Sequence, residues 1–247
     1  MIRLLKWTGL LVVVLCIPQC AKEESIFPKM SIPGYKTKLL FQDDFNSDLS
    51  QWHLEGLGKL EITTEEKLQI SLQTGNQGIA IWALPDFSDD FQLEYEVFFS
   101  NSRGLLVTAV CARGLDGDDL LQGMPTREGQ LIEYTRSGIG SYHISAHNYT
   151  PDGEHDPYSK LRKNPGHMML SSQDDPCAID RQYDINIIKL GNRIQYYVDG
   201  ELIHDIRDKG GFGPVYDQGK FGFILQGNPR YFHVHLDNVH VFKLIPE

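Results

Sequence analysis

The sequence predicts an all-β fold in which two antiparallel sheets pack as a sandwich within a single domain. From about residue 39 onward, short stretches of alternating apolar and polar residues recur at the spacing expected of sandwich strands. The 247 residues include 23 Gly and 12 Pro, a composition rich in turn formers. No stretch longer than a turn or two has the apolar spacing of an amphipathic helix. A chain of this length is typical of one sandwich or barrel domain.

The first predicted strands lie between residues 60 and 110. Residues 60–64 and 68–72 alternate between apolar and polar side chains and are joined by a short charged turn. Residues 91–99 are apolar at odd positions and mainly polar at positions 92, 94 and 96, which predicts a strand with one buried face. Residues 104–110 are almost entirely apolar, as in a strand that is buried on both faces.

In the middle of the chain, residues 141–147 are predicted to form a strand with one polar face. Two serines and two histidines share this face, which is too polar for a sandwich interior and should line solvent or a cleft. Residues 132–136 are also predicted to be a strand, with Tyr134 and Arg136 on one face. The polar face of residues 141–147 consists of Ser141, His143, Ser145 and His147, and the opposite face of Tyr142, Ile144 and Ala146.

The C-terminal third gives the clearest strand pattern. Residues 183–190 and 193–198 are predicted to form a hairpin around Gly191-Asn192, and Asp199-Gly200 then turns into residues 201–204. Both dipeptides tolerate the positive φ that two-residue hairpin turns require. The pattern closes with strands over residues 220–225 and 231–242.

The N-terminus has the features of a targeting segment. Arg3 and Lys6 precede an apolar run at residues 10–17, which is too short to span a hydrocarbon core of about 30 Å as a helix. Cys20 follows closely and resembles the lipidated first residue of a mature bacterial lipoprotein; cleavage of an ordinary secretory peptide nearby is the alternative. We therefore expect a protein of the cell envelope, at the cell surface or in the periplasm, anchored to the outer membrane. The expected division is residues 1–19 signal peptide, 20–37 tether and 38–247 a single domain.

The charge balance argues against a nucleic-acid partner. Lys and Arg number 23 against 33 Asp and Glu, a formal charge of −10, whereas nucleic-acid binding needs a basic face. Loss of residues 1–19 would remove two further positive charges. Cys111 and Cys177 could pair in an oxidising compartment or could simply be buried as small apolar side chains.

Several C-terminal motifs carry a resemblance to a known fold. The sequences GKFGF at 219–223 and LDNV at 236–239 follow the Asp199-Gly200 hairpin, and FQDDF at 41–45 precedes Trp52. This order resembles the concanavalin A-like lectin/glucanase jelly roll. Lectins, glycosidases, lyases and inert modules share that fold, so the resemblance implies an architecture and leaves the function open.

The middle segment resembles a narrower group. The sequences EYTR at 133–136, YHIS at 142–145 and LRKNPGH at 161–167 are similar to the YesU-like family. That family is largely uncharacterised and occurs in gene clusters that degrade acidic polysaccharides such as rhamnogalacturonan and ulvan. The resemblance implies an acidic poly- or oligosaccharide as the partner. The chain differs at Ala146-His147, where an aromatic and a basic residue are expected.

The same segment concentrates basic and titratable side chains in an otherwise acidic chain. A loop over residues 148–165 is expected to bring several of them beside the strand at 141–147. Such a local excess suits a carboxylated or sulfated sugar. The cluster comprises Arg136, His143, His147, Arg162, Lys163 and His167.

This cluster supplies the groups that β-elimination next to a uronate carboxylate requires. A cation or amide must neutralise the carboxylate, a base must take the α-proton, and an acid must protonate the leaving oxygen. His143 is the expected base, because an ordinary imidazole has a pKa of about 6.5. The expected acid is Tyr134 or Tyr149. Arg162, Lys163 or Asn164 would neutralise the carboxylate, and Arg136, His147 and His167 would make further substrate contacts.

Other functions remain open from the sequence. Hydrolysis needs a pair of carboxylates, and no Glu-x-Asp-x-x-Glu array is found on a predicted strand, which favours a lyase or dehydratase over a glycoside hydrolase. A non-catalytic glycan-binding lipoprotein is the alternative, with Trp52, Trp82 and tyrosines to stack on sugars. The basic residues could also be solvated loop charges, and Asn164-Pro165-Gly166 a tight turn.

No cofactor is required for this chemistry, and a structural calcium ion is possible. The fold suggests Asp43 or Asp44 together with Asp237 as oxygen ligands, and the DGDD run at 116–119 is a rival site. His233 and His235 alternate on one strand but lack an obvious third ligand.

Overall fold

The structure is a computed structural model that describes residues 28–72, 78–88, 90–100, 104–149, 154–227 and 232–247. Within these ranges the chain forms sixteen strands and one short helix. They are β1 Tyr35–Asp43, β2 Trp52–Gly56, β3 Gly58–Ile62, β4 Leu68–Leu72, β5 Gly78–Ala83, β6 Phe87–Ser88, β7 Phe91–Phe99, β8 Gly104–Gly114, α1 Leu131–Thr135, β9 Ile139–Ala146, β10 Tyr158–Asn164, β11 Met168–Asp174, β12 Arg181–Leu190, β13 Arg193–Val198, β14 Glu201–Arg207, β15 Gln218–Gly227 and β16 His233–Pro246.

The strands form two antiparallel sheets, which confirms the predicted sandwich. Sheet I has the order β14-β13-β12-β7-β16-β4-β3, with β1 also paired to β16. Sheet II has the order β11-β10-β9-β8-β15-β5-β2, with β6 paired to β15. Strands distant in sequence lie side by side, such as β7 against β16 and β8 against β15. The fold therefore depends on long-range pairing.

The main core lies between the two sheets and follows from the alternation within each strand. Leu93, Tyr95 and Val97 of β7 are buried in it. From sheet II, Tyr142 and Ile144 of β9 point into the same core. Burying these side chains is worth about 1.5–3 kcal/mol each, which makes this layer the main source of stability.

A second apolar cluster lies on the outer face of sheet II, beneath the segment at residues 115–138. Trp82, Val107 and Ile224 project from the sheet, and Leu120 and Tyr134 cover them. This segment contains α1, whereas the sequence predicted a strand over 132–136. That prediction was wrong because five residues are too few to reveal a helical period, and Glu133 instead accepts the Gln130 N–H (2.9 Å) in the first turn.

The predicted alternation in β9 is confirmed up to its last residue. Ser141, His143 and Ser145 lie on the outer face of sheet II, opposite the core-facing residues of the same strand. His147, expected on the same polar face, instead stacks on core residue Phe99 with ring centroids 4.4 Å apart. The reason is local: β9 ends at Ala146 and His147 has a φ of 53°, which breaks the two-residue period.

Cys111 and Cys177 are both buried and free, so the disulfide alternative is not realised. Burial raises the pKa of the Cys111 thiol to about 12. The predicted signal peptide, Cys20 and residues 21–27 of the predicted tether lie outside the described residues. The last three residues of the predicted tether, 35–37, belong to β1. In the ranges that are described, no helix has the length and apolarity to cross a bilayer.

Candidate functional site

The predicted basic cluster is built mainly on β9 and β10. These strands pair antiparallel with Arg162 directly opposite His143 and Asn164 opposite Ser141. Side chains at opposite positions have Cβ atoms about 4.5–5.5 Å apart. Pairing therefore places the Arg162 guanidinium and the His143 imidazole next to each other on the outer face of sheet II.

A small pocket lies between these strands, β8 and the first residue of α1. Its volume is about 30 Å³, which is room for about one water molecule. Polar side chains from three segments converge on an apolar wall. The lining residues are Leu105, Val107, Leu131, His143, Ser145, Asn148, Lys160, Arg162 and His167.

His143 is the most unusual group in the pocket. Its side chain is buried, with 3% of the residue exposed. Neither ring nitrogen has a hydrogen-bond partner among the described residues, although buried polar atoms are normally paired. Burial, followed by the positive charges of His167 and Arg162, lowers the pKa of His143 to about 3. The imidazole is therefore neutral at pH 7 and carries an available lone pair.

Arg162 and His167 form the polar side of the pocket. Arg162 Nη1 lies 3.0 Å from His167 Nε2. Because a guanidinium only donates, His167 Nε2 must accept and the ring proton resides on Nδ1. Partial burial, then the charges of Arg162, Arg136 and Lys160, lowers the pKa of His167. The site thus repels further positive charge.

This local positive charge is only partly compensated. Lys160 is paired with Asp156. Within the described part of the chain, neither Arg162 nor the exposed Arg136 forms an ion pair. Arg162 lines the pocket, whereas Arg136 does not, although its charge acts on His167. The expected contacts of both guanidinium groups with an anionic substrate stay a prediction.

Tyr134 lies elsewhere on this face and is engaged by a residue that the sequence analysis missed. Its hydroxyl donates to Glu55 Oε2 (2.7 Å), which also accepts the Trp82 indole N–H (3.0 Å). Arg127 pairs with the same carboxylate. Burial, followed by the negative charge of Glu55, raises the pKa of Tyr134. Tyr134 does not line the His143 pocket, so we do not retain it as the acid.

Tyr149 and His147 sit beside the pocket without lining it. The Tyr149 ring packs between His147 and His155, with ring centroids 4.9 and 5.0 Å apart. His147 has no exposed surface, and its backbone N–H donates to Asp175 Oδ2 (2.7 Å). These contacts are structural.

Lys163 and Asn164 are both buried, and neither lines the pocket as expected. Residues 158–164 form β10 rather than a loop, and alternation directs Lys163 to the side opposite Arg162. Lys163 has no exposed surface, and its Nζ donates to Asp208 Oδ2 (2.6 Å) and the Gly213 carbonyl (2.8 Å). Asn164 is also fully buried and donates to Ser141 Oγ (3.2 Å). Of the three groups expected to neutralise a carboxylate, only Arg162 lines the pocket.

The expected calcium ligands are only partly assembled. Burial raises the pKa of Asp237, and the negative charges of Glu96 and Asp44 contribute to the rise. Asp43 is committed to Trp52 Nε1 (2.7 Å) and the Phe45 N–H (2.9 Å).

No group of three or more His, Cys, Asp or Glu side chains in the described residues is arranged to hold a metal ion. This holds for the neighbouring rings of His233 and His235 and for the acidic run at 116–119, where Asp119 contacts Lys220. Calcium binding stays a prediction.

Comparison with known families identifies the chain. Residues 38–233 match the family described as "Domain of unknown function (DUF1961)". The chain belongs to the DUF1961 family. Comparison with curated proteins gives no match.

Solved structures confirm the predicted jelly roll for this DUF1961 protein. A Bacillus subtilis protein of unknown function with a galectin-like fold has a TM-score of 0.76 at 23% identity, covering 86% of this chain and all of that chain. The κ-carrageenase of Pseudoalteromonas carrageenovora, solved with an oligosaccharide of κ-carrageenan, has a TM-score of 0.58 at 11% identity (90% and 100% covered). The β-glucanase of Bacillus licheniformis has a TM-score of 0.56 at 12% identity, covering 86% of this chain and all of that chain. The protein therefore shares the jelly roll of glycan-active enzymes.

Proposed function

We propose that this protein is a carbohydrate-active lyase or dehydratase that performs β-elimination on a uronate-containing oligosaccharide at the His143 pocket. One observation carries the proposal. A neutral imidazole with both ring nitrogens unbonded lies directly opposite an arginine that has no carboxylate partner among the described residues. This is the pairing of base and cation that proton abstraction beside a carboxylate requires.

Recognition of the anionic group falls to Arg162, with Arg136 and His167 nearby. A guanidinium binds a carboxylate or sulfate through two parallel N–H donors, which fixes orientation as well as affinity. The resemblance of residues 133–167 to the YesU-like family, whose gene clusters degrade acidic polysaccharides, supports a uronate-containing ligand. The jelly-roll fold of the carrageenase and glucanase neighbours supports a glycan in general.

In the reaction, His143 would accept the proton as the C–H bond α to the carboxylate breaks. The electron pair of that bond forms the carbon–carbon double bond, and the bond to the β-oxygen breaks. The leaving oxygen keeps the electron pair of the broken carbon–oxygen bond and must gain a proton. We assign this proton transfer to the protonated His143 itself, because Tyr134 is committed to Glu55 and the neutral His167, whose Nε2 accepts from Arg162, has no acidic proton to give.

A bound carboxylate would also improve His143 as a base. With a pKa of about 3 the imidazole holds a proton weakly. A negative charge next to Arg162 and His167 offsets two of the causes of the lowered pKa, so ligand binding raises it towards the working pH. Burial, the largest cause, remains.

The size of the pocket favours a second candidate, a glycan-binding protein without catalysis. A pocket of about 30 Å³ admits no sugar ring. Elimination therefore requires the wall formed by Leu131 or the turn bearing His167 to move outward, whereas a charged substituent can bind to the Arg162–His167 pair from its exposed side.

Ultraviolet absorbance tests the proposal, because elimination creates a conjugated double bond. The protein would be incubated with ulvan, rhamnogalacturonan and their lyase-derived oligosaccharides. We expect a time-dependent change that His143→Gln abolishes and that the control His240→Gln, on the opposite sheet, leaves intact. If the absorbance stays constant with every acidic glycan, while the protein binds one of them saturably and Arg162→Gln removes this binding, the protein is a glycan-binding protein and not an enzyme.

The proposed location in the cell envelope rests on the N-terminal residues alone. Incorporation of a labelled fatty acid into the full chain in a bacterial host, and its loss in Cys20→Ser, would support the lipid anchor. Labelling that persists in Cys20→Ser would contradict it.

A further inference from the structure

We propose a second saccharide-binding site on the outer face of sheet I, where a groove fits an acidic polysaccharide chain. The groove has a volume of about 690 Å³ and lies between residues 30–35 and strands β12, β13 and β14. Sites for small organic ligands are commonly about 300–1,000 Å³. This inference does not depend on elimination at His143.

The alternation of β12 and β13 separates this groove from the His143 pocket. Ile187 and Ile194 point into the core, whereas their neighbours Ile188 and Gln195 pair across the strands on the outer face of sheet I. The two sites lie on opposite sheets of the sandwich. One molecule could therefore hold ligand at both sites simultaneously.

One wall of the groove is fixed in place by side chains of β7. The buried Glu94 carboxylate accepts the backbone N–H groups of Lys29 (2.9 Å) and Met30 (3.2 Å). Gln92 Nε2 donates to the Met30 carbonyl (2.9 Å). Because residues 29 and 30 are bonded to the sheet through their backbone, the groove exists before any ligand arrives.

The floor presents two guanidinium groups, of which only that of Arg193 forms an ion pair among the described residues. Arg193 binds both oxygens of Asp205, with Nε–Oδ1 2.7 Å and Nη2–Oδ2 2.5 Å. Arg207 lies opposite Arg193 in the register of β13 and β14, and among the described residues it forms no ion pair. In a chain of net charge −10, a guanidinium without an ion pair, such as that of Arg207, is suited to binding a carboxylate or sulfate.

Two tyrosines give the groove the amphipathic surface that a sugar ring matches. Tyr35 and Tyr197 are half-buried in the lining, and Gln195 Nε2 donates to the Tyr197 hydroxyl (3.0 Å). A sugar ring has C–H groups on its face and hydroxyls at its edge. Tyrosine likewise joins an apolar ring face to a polar tip. Together with Arg207, this lining specifies an acidic saccharide.

Two sites on opposite faces predict stronger binding to a polymer than to a short oligosaccharide, because the second contact is then intramolecular. Affinity electrophoresis of the full chain in gels containing ulvan or polygalacturonate measures this retention. We expect Arg207→Gln and Tyr197→Ala each to weaken retention about tenfold or more. The control Arg181→Gln, which lies on the neighbouring strand β12 but outside the groove, should be retained like the wild type, and the neutral glucan laminarin should retain no variant.

The outcomes separate the two proposals. Wild-type retention of both groove variants, an equal loss in Arg181→Gln, or equal retention by laminarin would overturn the second site. Thermal melting of each variant shows that a loss reflects binding rather than unfolding. A third outcome is that no acidic oligosaccharide is turned over or bound at the His143 pocket, while retention of the protein in the gel still depends on Arg207. This outcome would contradict the function proposed for the pocket and support the binding site in the groove.

Discussion

Arg127 binds both carboxylate oxygens of Glu55, although the two residues are 72 positions apart in the sequence. Nη2 lies 2.5 Å from Oε1, and Nε lies 3.0 Å from Oε2. The contact connects β2 to the segment at residues 115–138 that covers the outer face of sheet II. The backbones also meet closely, since a Cβ at Gly78 would lie 2.1 Å from the Gly129 carbonyl oxygen. Glu55 is therefore the anchor of this covering segment.

We predict that Glu55→Ala lowers the free energy of unfolding by about 3–5 kcal/mol. The substitution leaves the buried Arg127 guanidinium, the Trp82 indole N–H and the Tyr134 hydroxyl without their acceptor. Urea unfolding of both proteins measures the difference. The matched control is Glu61→Ala, whose partner Lys59 is exposed and which should change stability by less than about 1 kcal/mol. Similar losses in both variants would contradict the role of Glu55.

The sequence predicted the faces of strands better than the partners of side chains. In β9, alternation alone assigned Tyr142 and Ile144 to the core and His143 to the outer face, because the two-residue period is a local property. The partners of Glu55 lie 27 to 79 positions away and meet it only through sheet pairing and the covering segment. No local pattern in residues 52–56 could have identified it.

Lys163 illustrates the complementary case, in which a wrong element led to a wrong role. In a loop, as the sequence predicted, Lys163 would be free to bind substrate beside Arg162. As part of β10, it must point to the opposite side from Arg162, into a buried ion pair with Asp208. The polar composition of residues 158–164 concealed the strand.

Lys163→Met should destabilise the protein by about 3–5 kcal/mol, since Asp208 would remain buried without its cation. Chemical denaturation measures the loss, and the exposed Lys59→Met serves as the control. The double substitution Lys163→Met/Asp208→Asn should recover part of it, because no buried charge is then left unpaired. A variant that keeps wild-type stability but binds acidic glycans more weakly would restore the substrate role predicted from the sequence.

His143 should make the stability depend on pH. Its pKa is lowered to about 3 in the folded protein, so between that value and the ordinary pKa of about 6.5 the unfolded chain binds the extra proton. The contribution of the neutral imidazole to the free energy of unfolding is complete above pH 6.5. It is lost progressively as the pH falls through this window, at up to about 1.4 kcal/mol per pH unit.

Urea unfolding at pH 7, 6, 5 and 4 tests this dependence. His143→Gln should lose less stability than wild type as the pH falls, and the exposed His53→Gln should follow wild type. Parallel curves for wild type and His143→Gln would show that the imidazole is not held neutral by its surroundings.

Arg162→Gln should raise the pKa of His167, which burial and then the charge of Arg162 lower in the native protein. Titration of the imidazole signals by NMR measures this pKa directly and does not require a substrate. The rise should be incomplete, because burial persists and Arg136 and Lys160 still contribute positive charge. The control Arg113→Gln alters an exposed arginine that contacts the Gly117 carbonyl (2.8 Å), and should leave His167 unchanged. An unchanged pKa in Arg162→Gln would mean that the contact between Arg162 Nη1 and His167 Nε2 is not maintained in solution, and the anion site would lose its main cation.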